Sequence, residues 1–302
     1  MTSILTRAGC FLGAILLGWS LRRAGFFQEK DFRLLSRIVL RITLPAAIIC
    51  SFSGREIQLN MLFLCLLGVA FNGIHMGLAK LLNGRRTREH RAFCMLNTAG
   101  YNIGNFTMPF AQSFLGPMGV VAVGIFDIGN AMITFGGGYC LAAMEQNGTR
   151  LSLTGTLKTM VKSIALDTYL LMLTLCLLRI TLPAPMLEFA GMIADANIFL
   201  AMLMIGVGLN ITGDRAQLGM ICKVLFLRYS AALALAAGSF LLLPLPLEFR
   251  QAVTICVLSP VATPMPAFTA ELGGDVGLAS AINSISIVVS LVLIVTALLI
   301  IL

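Results

Sequence analysis

Between Asn97 and Gly116 the chain reads NTAGYNIGNFTMPFAQSFLG. Asn97, Asn102, Asn105 and Thr107 bring three amides and a hydroxyl into an apolar stretch, and Gly100, Gly104 and Pro109 interrupt its helix. A continuous lipid-facing helix has little use for this combination, because freed backbone groups and polar side chains must find partners away from hydrocarbon. Two roles fit the side chains: contact with a solute, directly or through water, or satisfaction of the backbone groups released by the break. Amide and backbone N–H donors of this kind could hold a carboxylate without a fixed charge that binds it too strongly. A second interrupted stretch, LSPVATPMPAFTAELGG from Leu258 to Gly274, carries Pro260, Pro264 and Pro266 as breakers. In both stretches the glycines and prolines shape the site, and the carbonyls and half-helix ends beside them are groups that a solute would meet.

Two acidic residues lie inside otherwise apolar segments. Asp127 stands three residues before Asn130, and Asp167 lies closer to the basic end of its segment. A carboxyl group in this setting reads as part of a transport path or proton relay, with Asp127 preferred. A buried pair with Lys162 or Arg179, or a hydrogen bond to Asn130, is the alternative. Arg33, Arg37 and Arg41 recur every four residues and form one basic stripe. Arg41 lies about 12 Å farther along the helix than Arg33; it would attract an anion at the inner mouth, or anchor the helix by lipid or helix pairing. His75, beside Asn72 and Gly73, reads as structural. The eight cysteines are isolated in apolar surroundings, no C-x-x-C pair occurs, and two histidines give no metal cluster. No cofactor is expected, and no spacing resembles a catalytic motif, so an enzyme is disfavoured.

These groups need a scaffold, and composition says where it sits. Of 302 residues 58% are hydrophobic and 11% charged, and the mean hydropathy is +0.95. That is an integral membrane protein. Ten spans are expected, at about 4–21, 33–53, 58–81, 92–112, 118–142, 156–180, 189–209, 216–242, 250–270 and 275–301. The first lacks a small-x-small cleavage site and is kept as a span rather than a signal peptide. Basic residues gather after spans one, three, five and seven, including Arg22, Arg23, Arg85, Arg86, Arg150, Arg215 and, farther into the next helix, Lys223 and Arg228. The excess of Lys and Arg places these loops in the cytoplasm and both termini outside. The net charge of +8 therefore concerns orientation and implies no nucleic-acid partner.

Five spans per half force the second half to enter the membrane in the opposite sense. The expected organisation is a first repeat at 1–144, a cytoplasmic connector at 145–155 and an inverted repeat at 156–302. Each broken span is followed by a glycine-containing turn and then by a long apolar helix with one asparagine, Asn130 or Asn283. Two broken spans in matching positions point to the binding site of a secondary transporter. An anion channel is the rival class, since polar broken helices also line pores.

The ordered set of motifs resembles the auxin efflux carrier family in its short bacterial form, which shares its general architecture with bile acid:sodium symporters. LSRIVLRITLPAAIICSF (Leu35 to Phe52), Asn102-x-Gly104-Asn105-x-x-Met108-Pro109, FLAMLMIGVGLN (Phe199 to Asn210) and Pro260 followed by ELGGD carry the resemblance across essentially the whole chain. It implies an all-α protein with ten transmembrane helices in two inverted five-helix repeats, whose broken helices four and nine cross. It also implies transport of a small mono- or dicarboxylate across a bacterial inner membrane, with lipid contact and room for a homodimer. Many plant members carry a large loop where this chain has only the short connection from Glu145 to Leu157. The alternative within the resemblance is a sodium-coupled, bile-acid-like symporter. A proton is favoured over sodium as coupling ion, because Val261, Met265 and Phe268 surround the prolines of span nine where an acidic, amide-rich ion site is expected.

Overall fold

A computed structural model describes residues 2–28, 30–57, 59–148, 164–209 and 217–302. Long apolar runs become helices because, inside hydrocarbon, a helix satisfies its own backbone groups. In chain order these are α1 (Thr2–Arg23), α2 (Asp31–Phe52), α3 (Phe63–Leu82), α4 (Arg88–Thr98), α5 (103–115), α6 (Gly116–Met132), α7 (Gly138–Asn147) and α8 (Ile164–Leu177). The chain continues with α9 (Ala184–Gly208), α10 (Leu218–Leu242), α11 (Leu247–Val257), α12 (Met265–Glu271) and α13 (Val276–Ile301). Large apolar side chains such as Leu81, Leu82, Phe226 and Ile300 are exposed on the outer faces. The protein is an all-α, polytopic membrane protein.

Six helical stretches among the described residues are long and apolar enough to cross a membrane: Asp31–Phe52, Phe63–Leu82, Ile103–Asn147, Ala184–Gly208, Leu218–Leu242 and Val276–Ile301. The 45 residues of Ile103–Asn147 would reach about 68 Å as one straight helix, roughly twice a hydrocarbon core. Gly116, at φ 66° and ψ −173°, turns the chain between α5 and α6, and non-helical Phe135 and Gly136 kink it before α7. Two expected spans are each split in two. The stretch 92–112 becomes α4 and α5, and 250–270 becomes α11 and α12. Of expected span six only α8 is described; Arg150, Lys158, Lys162, Asn210 and Arg215 lie outside the described residues.

Pro45 and Pro109 sit inside α2 and α5 without ending them. Proline cannot donate to the carbonyl four residues earlier and crowds it. The helix accommodates this with a widened π turn just before each, Val39–Thr43 and Ile103–Thr107.

The two interruptions meet. Tyr101 and Val261 face each other in an isolated antiparallel bridge. The Asn102 N–H donates to the Pro260 carbonyl at 3.0 Å, and the Ala262 N–H donates to the Gly100 carbonyl at 3.2 Å. Each break thus supplies backbone partners to the other. Gly100 is required here on two counts: its φ is +74°, and a Cβ would lie 2.6 Å from Met265 Cε and 3.0 Å from Ala262 Cβ.

Around this junction the helices fall into two groups. α9 packs along α1 and both parts of α2, and α8 packs on α2; α3 to α7 and α10 to α13 gather around the junction. Close backbone approach needs small residues: Gly68 and Gly129 sit against α6 and α3, and Gly18 and Gly206 against α9 and α1, where any Cβ would collide with backbone. Of the cysteines, Cys94, Cys176 and Cys256 are buried, whereas Cys10 and Cys222 are exposed.

Candidate functional site

A broken helix leaves carbonyls at the end of its first piece and N–H groups at the start of its second. At the junction, α4 and α11 end while α5 and α12 begin, so two negative and two positive helix ends converge. The structure keeps the two kinds apart.

The carbonyl side is filled by Arg228, the eleventh residue of α10 and fully buried. Its guanidinium donates to the carbonyls of Thr98, Gly100 (3.0 Å), Ser259 (2.8 Å) and Pro260 (3.1 Å), and lies 5.2 Å from the Tyr101 ring centroid. Four carbonyls, two helix C-termini and an aromatic face together offset one buried positive charge. His75 closes the same side, with Nδ1 2.9 Å from the Phe71 carbonyl and 3.2 Å from the Tyr101 hydroxyl, and Nε2 3.2 Å from the Arg228 carbonyl.

Asparagines clamp the exposed backbone of each break. In the first, Asn130 Oδ1 accepts from the Tyr101 N–H (3.0 Å) while its Nδ2 donates to the Tyr101 carbonyl (2.8 Å) and to Asp127 Oδ1 (2.9 Å). Asn72 Oδ1 accepts from the Gly100 N–H at 2.6 Å, and Asn72 Nδ2 donates to Asn130 Oδ1 at 3.1 Å. In the second break Asn283 Nδ2 donates to the Val261 carbonyl at 2.9 Å, and Ser286 Oγ accepts from the Val261 N–H at 3.0 Å. These bonds satisfy main-chain groups that would otherwise be stranded in the membrane interior.

The N–H side opens into a cavity of about 290 Å³. Asn102, Ile103, Gly104 and Asn105 line it from the start of α5, and Thr263 and Pro264 from the start of α12. Asp127 and Asn130 come from α6, Leu40, Arg41 and Leu44 from α2, and Leu166 and Tyr169 from α8. Asn102 Nδ2 and Asn105 Nδ2 both reach the Thr263 hydroxyl, at 3.2 and 3.5 Å, and Asn105 Oδ1 is buried with no hydrogen-bond partner. An asparagine amide turned about its last bond exchanges acceptor for donor, so this one has an end free for a ligand. The cavity therefore combines two helix N-termini, the three amides of Asn102, Asn105 and Asn130, hydroxyls including that of Thr263, one carboxyl group and, at its rim, the exposed Arg41.

A family model described as Membrane transport protein matches residues 11–168, just over half of the chain. The chain belongs to this family, that of the auxin efflux carriers. No curated protein matches it. The transporter is a multi-pass bacterial membrane protein that moves small molecules by secondary transport, and it belongs with carriers rather than enzymes. The matched region includes the first break and ends before the second, whose part in the site rests on geometry.

Of the residues the sequence singled out in the transporter, Asn102, Asn105, Pro264, Asp127 and Arg41 share the cavity wall. Asn97 is not among them. It is fully buried, and its Nδ2 donates to the Phe93 carbonyl (3.0 Å) and Thr269 Oγ1 (3.1 Å), fastening α4 to α12. Thr107 also turns away, hydrogen-bonding the Ser259 hydroxyl. Pro109 is buried within α5, Pro260 acts through its carbonyl, and Pro266 lies in the first turn of α12, none of them on the cavity wall. Asp167 is exposed on the far face of α8 although its neighbours Leu166 and Tyr169 point inward, because one residue turns a helix by about 100°. Sequence reasoning missed Thr263 and Tyr101, and it counted Arg228 with the loop charges. About 15 Å along a helix from its start, Arg228 lies too deep for that, and an arginine at such depth carries its own signal of function.

Proposed function

We propose that the transporter carries a small organic anion, a mono- or dicarboxylate, by alternating access at the junction of its two broken spans. The observation that carries this reading is the convergence of the N-terminal ends of α5 and α12 on one cavity. The positive dipole ends favour a carboxylate. Pro264 and Pro266 carry no N–H and the Met265 N–H is donated to the Ala262 carbonyl, so backbone donors come from the start of α5, and Asn102, Asn105 and Thr263 add donors without fixed charge. Arg41 at the rim draws the anion in, and Asp127, tied through Asn130 to the backbone of Tyr101, couples a proton to the cycle.

The supporting architecture is ten spans in two inverted repeats, 1–144 and 156–302, joined by a connector at 145–155, with α4–α5 and α11–α12 as crossing spans four and nine. The reciprocal backbone pairing at Tyr101 and Val261, and the matched clamps of Asn130 and Asn283, are what a two-fold relation between halves produces. The cavity lies between α2 and α8 on one side and the junction with α6 on the other, where one group of helices can rock against the other. For orientation, Lys80 and Arg91 both pair with Glu145, at 2.8 and 2.7 Å, so the basic ends of α3 and α4 share one face with the C-terminal end of α7. That face is the cytoplasmic one by its lysines and arginines, which puts both termini outside a bacterial inner membrane. Cysteine labels at Arg86 and Pro117 should then react from opposite faces of intact cells.

Uptake of radiolabelled mono- and dicarboxylates into vesicles containing the purified protein tests the function. Saturable uptake and counterflow, driven by a proton gradient and indifferent to a sodium gradient, are expected. Non-saturating flux marks a channel, and sodium-driven uptake marks the symporter alternative.

A further inference from the structure

Backbone carbonyls and half-helix C-terminal ends are the groups with which carriers of broken-helix design coordinate a coupling sodium ion. Here four such carbonyls, those of Thr98, Gly100, Ser259 and Pro260, converge at or just beyond the ends of α4 and α11. We propose that Arg228 is the resident cation of this carbonyl cage, a covalently attached charge in the place where a metal ion would bind, so that the transport cycle needs no sodium.

Geometry and charge both support this. Nη1 donates to the Thr98 carbonyl, and the two hydrogens of Nη2 are shared among the carbonyls of Gly100, Ser259 and Pro260 at 2.8 to 3.1 Å, so a metal ion would have to strip away donors to gain ligands. Two helix C-termini contribute roughly half a negative charge each, and a single guanidinium balances them. No carboxylate takes part: among the described residues Lys80 and Arg91 pair with Glu145, and Asp127 on the other side of the junction bonds Asn130. A second cation in the cage would stand a few ångströms from the first in a low-dielectric interior, where like charges repel strongly.

A tethered cation also differs from a bound one in what it does to motion. Arg228 cannot leave, so α10 stays fastened to both breaks throughout the cycle. Its neighbour Tyr229 extends the fastening to α13 by donating to the Ser286 carbonyl at 2.7 Å. The junction, α10 and α13 then move as one body, and the cavity opens against α2 and α8.

The test compares the full-length wild-type protein with R228S in sodium chloride and in choline chloride at equal ionic strength. Wild-type melting temperature should be the same in both salts, and malonate or malate should bind it in choline. R228S, its cage emptied, should melt lower in choline and rise saturably with sodium by about 4 °C or more. Sodium stabilisation of the wild type, or carboxylate binding that appears only with sodium, would overturn the proposal. So would a folded R228S indifferent to sodium, since the carbonyls would then form no cation site. Should R228S fail to fold, the wild-type arms decide alone. The inference rests on the carrier reading, and the arms separate the two: absence of carboxylate binding in either salt counts against the anion site, while the melting comparison still judges the cage.

Discussion

The two sides of the junction are made from the same breaks in the same helices, yet one is filled and the other is open. On the carbonyl side Arg228 meets Thr98, Gly100, Ser259 and Pro260, and nothing is left for a solute. On the N–H side Asn102, Asn105 and Thr263 are loosely joined across about 290 Å³ of space, and the side-chain Oδ1 of Asn105 has no partner. The difference follows from sign. Converging helix C-termini in hydrocarbon demand a cation at all times, so the protein supplies one permanently. Converging N-termini favour an anion, and on the proposed reading a transported solute takes that place.

The largest expected effect lies on the filled side. Arg228→Met takes the side-chain donor from all four carbonyls, leaving Gly100 and Pro260 only the backbone N–H groups of Ala262 and Asn102, and should cost about 3–5 kcal/mol of stability, read as a lowered melting temperature in detergent. Arg41→Met, at the exposed rim of the open side, should stay within about 0.5 kcal/mol of wild type and instead slow uptake at low solute concentration. Equal destabilisation by the two would erase the distinction between the sides.

The clamps sharpen the comparison within each break. Asn130→Ala removes bonds to both backbone groups of Tyr101 and to Asp127, and a loss of about 2–3 kcal/mol is expected. Asn283→Ala loses chiefly the Val261 carbonyl, for about 1 kcal/mol. The same melting assay ranks them, and a reversed order would mean that the second break is the more heavily stabilised.

The carboxyl groups come next. Asp127→Asn should lower proton-driven uptake by about tenfold, a barrier change near 1.4 kcal/mol, while exchange of labelled for unlabelled solute persists. Asp167→Asn, on the exposed face of α8, should leave both within about twofold. Gradient-driven uptake and pH dependence unchanged in D127N would remove this residue from coupling.

Much of this design was legible in the sequence. Gly100, Pro260 and Pro264 marked both breaks, because a membrane-spanning segment tolerates breakers only where other groups receive its backbone. The turns after them were legible too, and Gly116 and Gly273 both take the positive φ that such turns need. What was not legible depends on rotation and partners. Asn97 shares its composition with Asn102 and Asn105, yet it lies in α4 before the break, where helical rotation aims it at Thr269. Asp127 and Asp167 look alike in the chain and point opposite ways. Arg228 escaped because it is one charge in a long apolar helix that begins near a basic loop, and its partners are main-chain carbonyls, which carry no sequence signature.

The central claim is that a carboxylate binds at the N–H side of the junction, and isothermal titration of N105A and R37A with a transported carboxylate tests it most directly. Asn105 lines the cavity, whereas Arg37 is exposed and lies off its wall. N105A should bind about tenfold more weakly than wild type, and R37A should stay within about twofold although it loses a full positive charge. Wild-type or stronger affinity in N105A beside a larger loss in R37A would place the principal recognition site elsewhere.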